Sequence, residues 1–188
     1  AYTGRDNLHA LLKLDATTQH VCGTDHDNPP QVTGGEEIEE TALDGGGPTV
    51  VDVAIFYTQA ARSGAGGTNA MESTIASRMA TANTGNINSQ VDIFLRTVHI
   101  GETNYAEVGT QTDVNRFRGQ SDGFMDEVHG IRTSTGADQM ALITNFSNQF
   151  CGIAYSIMCF VSTNFQVNAF SVSVRGCLGG HTLTHELG

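Results

Sequence analysis

The sequence predicts an α/β fold: a twisted, mostly parallel sheet with an antiparallel edge strand, two packing helices and the start of a further helix. Three observations carry that prediction. Thr49 to Thr58 reads TVVDVAIFYT, a nearly continuous apolar and β-branched run, the pattern of a strand covered on both faces. Such runs alternate with stretches whose apolar residues recur every three to four positions. Strands separated by helices join through right-handed crossovers into a largely parallel sheet. The first 47 residues share neither pattern.

Residues 1–47 open with Leu8 to Asp15, a short strand or helix, and then turn polar. Asp25 to Pro30, the acidic run Glu36 to Glu40 and Gly45-Gly46-Gly47-Pro48 have linker composition, so a boundary is expected near residue 47. Gly64 to Gly67 break off the first strand. Asn69, with Glu72 three residues later, resembles a capping box and opens a helix whose buried face is Met71, Ile75, Met79 and Ala82. Gly85 ends it. Val91 to Ile100 is a second strand, and Thr112 to Gly119 a short helical turn. Ser121 caps a helix carrying Phe124, Met125, Val128 and Ile131, stopped by Gly136. Gln139 to Phe146 is a third strand, Cys151 to Tyr155 a short extended piece, and Phe170 to Arg175 a final alternating strand. A last helix begins near Gly180. Exposed and one turn long, it nucleates poorly and is expected to fray.

The formal net charge is −11, with Lys13 the one lysine in the chain. That balance argues against nucleic acid or an anionic membrane surface as partner. No stretch approaches the roughly 20 apolar residues that cross a bilayer, and a monomer is expected. The chain starts at Ala1 with no visible leader, as a processed or shortened N-terminus would. Four cysteines, three of them within 27 residues, suggest disulfides and an oxidising compartment. No CxxC is present, which disfavours a four-cysteine zinc site.

The last residues carry the chemistry. His185-Glu186-Leu187-Gly188 matches the first four positions of HExxH, in which two histidines four apart on one helix face bind a metal and the glutamate acts as general base. Taken alone, a helix-terminal His-Glu pair without chemistry is the commoner situation. His181 lies four residues before His185, and that spacing could hold a metal by itself. His99 and His129 fall in a strand and a helix, where structural or solvent-exposed roles are the ordinary ones.

Three blocks, in order, resemble the bacterial reprolysin/adamalysin-like group of the metzincin zinc endopeptidases. They are VVDVAIFYTQAAR (Val50 to Arg62), SDGFMDEVHGIR (Ser121 to Arg132), and CGIAY, AFSVSV, Cys177 and HELG between Cys151 and Gly188. The resemblance spans about residues 48–188 and implies the upper subdomain of that fold. The family motif is HExxHxxGxxH, so the chain looks cut within its active-site helix, and 48–188 an incomplete catalytic domain.

The resemblance implies a Zn2+ cofactor, His185 as its first ligand, Glu186 as catalytic base, and a protein or peptide substrate. In that reading His181 is no ligand. Gly152, Ile153, Ala154 and Tyr155 resemble the edge strand beside which an extended substrate pairs. Cys151 and Cys177 both flank the strand that leads to the helix in the resembling enzymes, and on that ground they are expected to pair. Cys22-Gly23 resembles a propeptide cysteine switch, in which a thiolate takes the water's place on zinc. A Cys22–Cys159 disulfide is the equal alternative. A secreted zymogen is the implied whole, with residues 1–47 the remnant of its pro-segment. Two other readings stand beside it: a non-catalytic binding module that kept this subdomain, and a small metal-binding protein using His181 and His185.

Overall fold

A computed structural model describes residues 47–148, 150–155 and 163–188. Cys22, Cys159 and the segment 1–46 lie outside the described residues.

Among the described residues the sheet has five strands: β1 (Thr49–Thr58), β2 (Ile93–Thr103), β3 (Gln139–Thr144), β4 (Gly152–Ala154) and β5 (Phe170–Val174), in the order β2-β1-β3-β5-β4. All neighbours are parallel except β4, which runs antiparallel to β5 at the edge. The α/β fold with a parallel sheet and an antiparallel edge strand is therefore as expected. β1 lies next to the sheet centre, and Val53 to Thr58 are all buried. Its alternate residues feed two cores. Val53, Ile55 and Tyr57 pack with Met71, Ile75, Met79 and Ala82 on one side. Ala54 and Phe56 pack with Val114, Phe117 and Val128 on the other.

The helices are α1 (Gln59–Ala65), α2 (Thr68–Asn88), α3 (Thr110–Arg118), α4 (Glu127–Thr135) and α5 (Thr182–Leu187). α1, α2 and α5 share the first face; α3 and α4 cover the second. No helix among the described residues is long and apolar enough to cross a membrane.

Several boundaries differ from expectation for local reasons. The stretch after β1 is a helix before it is a turn: Thr58 caps α1 by accepting from the Ala61 N–H at 3.0 Å. Gly66 and Gly67 take positive φ of 93° and 124°, which lets α2 begin almost at once. Asn69 and Glu72 form no capping box. Gly67 is the N-cap, and Glu72 instead accepts from the Tyr57 hydroxyl at 3.1 Å. Gly85 does not end α2, because the last turn is fastened to β2. Asn83 bonds both the N–H and the C=O of Leu95, at 2.8 and 2.9 Å, and Asn86 reaches the Ile93 carbonyl. Those bonds also satisfy part of the edge of β2.

Ser121 does not cap α4. It has a φ of 60°, and the helix starts six residues later at Glu127. The Asp126 carboxylate accepts the N–H groups of Asp122 and Gly123 and holds the intervening turn. The short helical turn near 112 is a nine-residue helix. α5 is not exposed: Thr182, Leu183, Glu186 and Leu187 are buried, and both leucines join the α2 core. Burying two leucines stabilises it by about 3–6 kcal/mol, which removes the stated reason for fraying.

Candidate active site

α5 lies under the β5–β4 edge of the sheet. Its approach is tied covalently, since Cys151, the residue before β4, is bonded to Cys177, five residues before Thr182. The Thr182 hydroxyl donates to the Cys177 carbonyl at 3.1 Å, and the His185 N–H to the His181 carbonyl at 2.8 Å. One helical turn therefore fixes which residues face the sheet. Glu186 turns inward and His185 outward: Glu186 is 6% exposed, whereas His185 is exposed.

Between α5 and the edge of the sheet is a cleft of about 350 Å³, lined by Ala154, Tyr155, Asn168, Ser171, His185 and Glu186, among others. It brings together His185, Glu186 and the end of β4. His181 is exposed at the N-cap of α5 and lines a different crevice, against Ser77, Thr81 and Thr84 of α2. His99 packs on the Phe56 ring, with centroids 4.9 Å apart. His129 bonds the Gly119 carbonyl at 2.6 Å and tilts against Phe170.

Glu186 has an unusual environment. Burial pushes its carboxyl from an ordinary 4.5 up to about 7. Its Oε2 is buried with no hydrogen-bond partner among the described residues. Ser171 and Ser173, which alternate with Phe170 and Val172 and so face α5, also carry buried hydroxyls without partners. A buried acceptor without a donor costs free energy and is retained where something else uses it. The strand beside it makes room: a Cβ built on Gly152 would stand 2.7 Å from both Cγ and Cδ of Glu186, and closer still to Oε1.

These features suit a group that works on a metal-activated water, namely an exposed imidazole next to a buried carboxyl with one oxygen that meets no donor, on one cleft wall. The donor set is partial. Among the described residues no three His, Cys, Asp or Glu side chains converge on one point.

Two carboxylates that sequence reasoning passed over organise the loops at the ends of the strands. Glu107 accepts the N–H groups of Asn145 and Phe146, at 2.8 and 2.7 Å, and the Thr58 hydroxyl. Asp113 is fully buried and accepts from the Tyr105 hydroxyl, Val108 N–H and Gly109 N–H. Nothing in their spacing marks them, because their partners come from the folded chain. Arg118 carries no sequence signal either. Its guanidinium lies 4.6 Å over the Tyr155 ring and donates to Asn168 Oδ1 at 2.7 Å, both at the cleft.

Comparison with known proteins gives consistent results. The family model Reprolysin_5, described as Metallo-peptidase family M12, matches residues 47–188. A curated protein of Stenotrophomonas maltophilia named peptidyl-Asp metalloendopeptidase is 32% identical over 97% of this chain and 43% of its own length. A protein of the same name from Xanthomonas campestris is 35% identical over 76% of this chain and 33% of its own. The chain thus spans less than half the length of these relatives. A solved chain described as "Structure of a chaperone-substrate complex" shares the fold, with a TM-score of 0.60 at 15% identity. It covers 74% of this chain and 25% of its own.

Proposed function

The chain belongs to metallo-peptidase family M12, and from that premise we propose that it carries part of the active site of a zinc-dependent endopeptidase. One observation carries the reading. Glu186 is buried with an oxygen that meets no donor, next in sequence to an exposed imidazole on the same cleft. His185 is the residue of this chain that would hold the metal. When bound, zinc supplies a Lewis acid that polarises the scissile carbonyl and acidifies the attacking water. Glu186 takes a proton from that water on its carboxylate and passes it to the leaving amine nitrogen.

β4 pairs on one side with β5, and among the described residues its other side is the edge of the sheet. Gly152, Ile153, Ala154 and Tyr155 can there hydrogen-bond an extended peptide as an added strand. The relatives' name supports aspartyl peptides as substrates. Arg118 has no ion-pair partner among the described residues, and it is the group we assign to meet an acidic substrate side chain. Residues 1–47 fit the pro-segment and linker of a secreted zymogen. The Cys151–Cys177 bond fits an oxidising compartment.

The test is hydrolysis. Purified full-length protein, incubated with a peptide mixture, should give products cut at aspartyl residues by mass spectrometry. A chelator should stop cleavage and zinc restore it. If zinc-loaded protein cleaves nothing, the non-catalytic binding module becomes the better account.

A further inference from the structure

We propose that Gly152 is a positioning residue for Glu186: its missing side chain is the seat in which the carboxyl rests. The inference rests on the endopeptidase reading for its catalytic part and on geometry alone for its contact.

Gly152 is the first residue of β4 and is buried, directly opposite Ser173 in the antiparallel pair. Its φ lies outside the left-handed region, so nothing in the local backbone demands glycine there. What demands it is the neighbour. A Cβ would stand 2.7 Å from Cγ and from Cδ of Glu186, well inside van der Waals contact, with Oε1 nearer still. Relief would have to come from the far end of the glutamate. Glu186 as a whole residue is 6% exposed, between β4 and the helix that carries it. Backing away is also restricted, because Cys151 adjoins Gly152 and is bonded to Cys177 at the approach to α5. The bond tethers the start of the strand to the approach to the helix, and the Glu186 side chain lies against Gly152 between them.

The consequence for chemistry is placement. A base displaced by an ångström from the attacking water loses rate far more than it loses substrate affinity. The edge strand thus has two functions at one residue: the outer side of β4 meets the peptide backbone, while the Cα of Gly152 backs the base.

The experiment is a cycle in the full-length protein with wild type, Gly152→Ala, Glu186→Asp and the double variant. Asp is one methylene shorter and vacates the space a Cβ would enter. Gly152→Ala should lower kcat about 10- to 100-fold with KM changed less than about twofold. In the Glu186→Asp background the same substitution should change kcat less than about twofold. The melting temperature should follow the same pattern, falling with Gly152→Ala only where Glu186 is intact. Equal losses in both backgrounds, or an effect confined to KM, would overturn the proposal. If no variant and no wild type cleaves any peptide, the endopeptidase reading fails. The melting temperatures then decide the contact by themselves: coupling sustains the seat, and additivity overturns it.

Discussion

Replacing Glu186 with glutamine should stabilise the metal-free protein at alkaline pH. The carboxyl is buried, one oxygen has no partner, and burial alone lifts its pKa from 4.5 to about 7. Each tenfold change in proton affinity corresponds to about 1.4 kcal/mol, so ionising the group in the folded state costs about 3 kcal/mol more than in the unfolded chain. The folded state holds this proton more tightly. Its contribution is therefore most favourable below about pH 4.5, declines as pH rises toward 7, and is constant above that. Glutamine cannot ionise and has no such decline. Urea denaturation of chelator-treated wild type and Glu186→Gln at pH 4, 6 and 8 measures the difference directly. Every other titrating group is common to both proteins and cancels. The two should be close at pH 4 and separate by up to about 3 kcal/mol at pH 8, the variant being more stable. A variant equally or less stable at pH 8 would show that Glu186 has hydrogen-bond partners or solvent that the structure does not give it.

Other outcomes follow from the same geometry. Replacing both Cys151 and Cys177 with serine opens a loop with a sequence separation of 26 and should cost about 3–4 kcal/mol in urea unfolding. Asp113→Ala leaves the Tyr105 hydroxyl and two backbone N–H groups without their acceptor, and should cost about 3 kcal/mol, read as a lowered Tm. Arg118→Gln should lower kcat/KM on an aspartyl peptide about tenfold while leaving its asparaginyl counterpart within about twofold. The wild-type preference should weaken with added salt.

The parts of this fold that were legible in the sequence are those where one physical cause dominates. β1 is apolar on both faces because both are covered, and the 3.6 period of Met71, Ile75, Met79 and Ala82 exists because one stripe of α2 is buried. The parts that misled are those where a side chain had two partners to choose from. Glu72 could cap α2 but bonds Tyr57; Gly85 could end α2, but Asn83 and Asn86 hold the next turn against β2. Ser121 could cap a helix but sits in a positive-φ turn governed by Asp126.

The candidate site shows the same division. His185 and Glu186 were visible as a motif with a known chemical logic. The burial of one, the exposure of the other and the closeness of Gly152 were not, because they depend on strands and helices that only the fold brings against α5. Glycine in particular leaves no pattern when its role is to be absent from a space.

The central claim is that two adjacent residues of α5 divide one chemical task, His185 holding zinc and Glu186 moving the proton. Zinc content and peptide turnover, measured side by side on full-length wild type, His185→Ala and Glu186→Gln, test it most directly. Glu186→Gln should keep its zinc and lose at least about 100-fold in kcat, as removal of a general base requires, whereas His185→Ala should lose both. Wild-type turnover in Glu186→Gln, or undiminished zinc in His185→Ala, would contradict it.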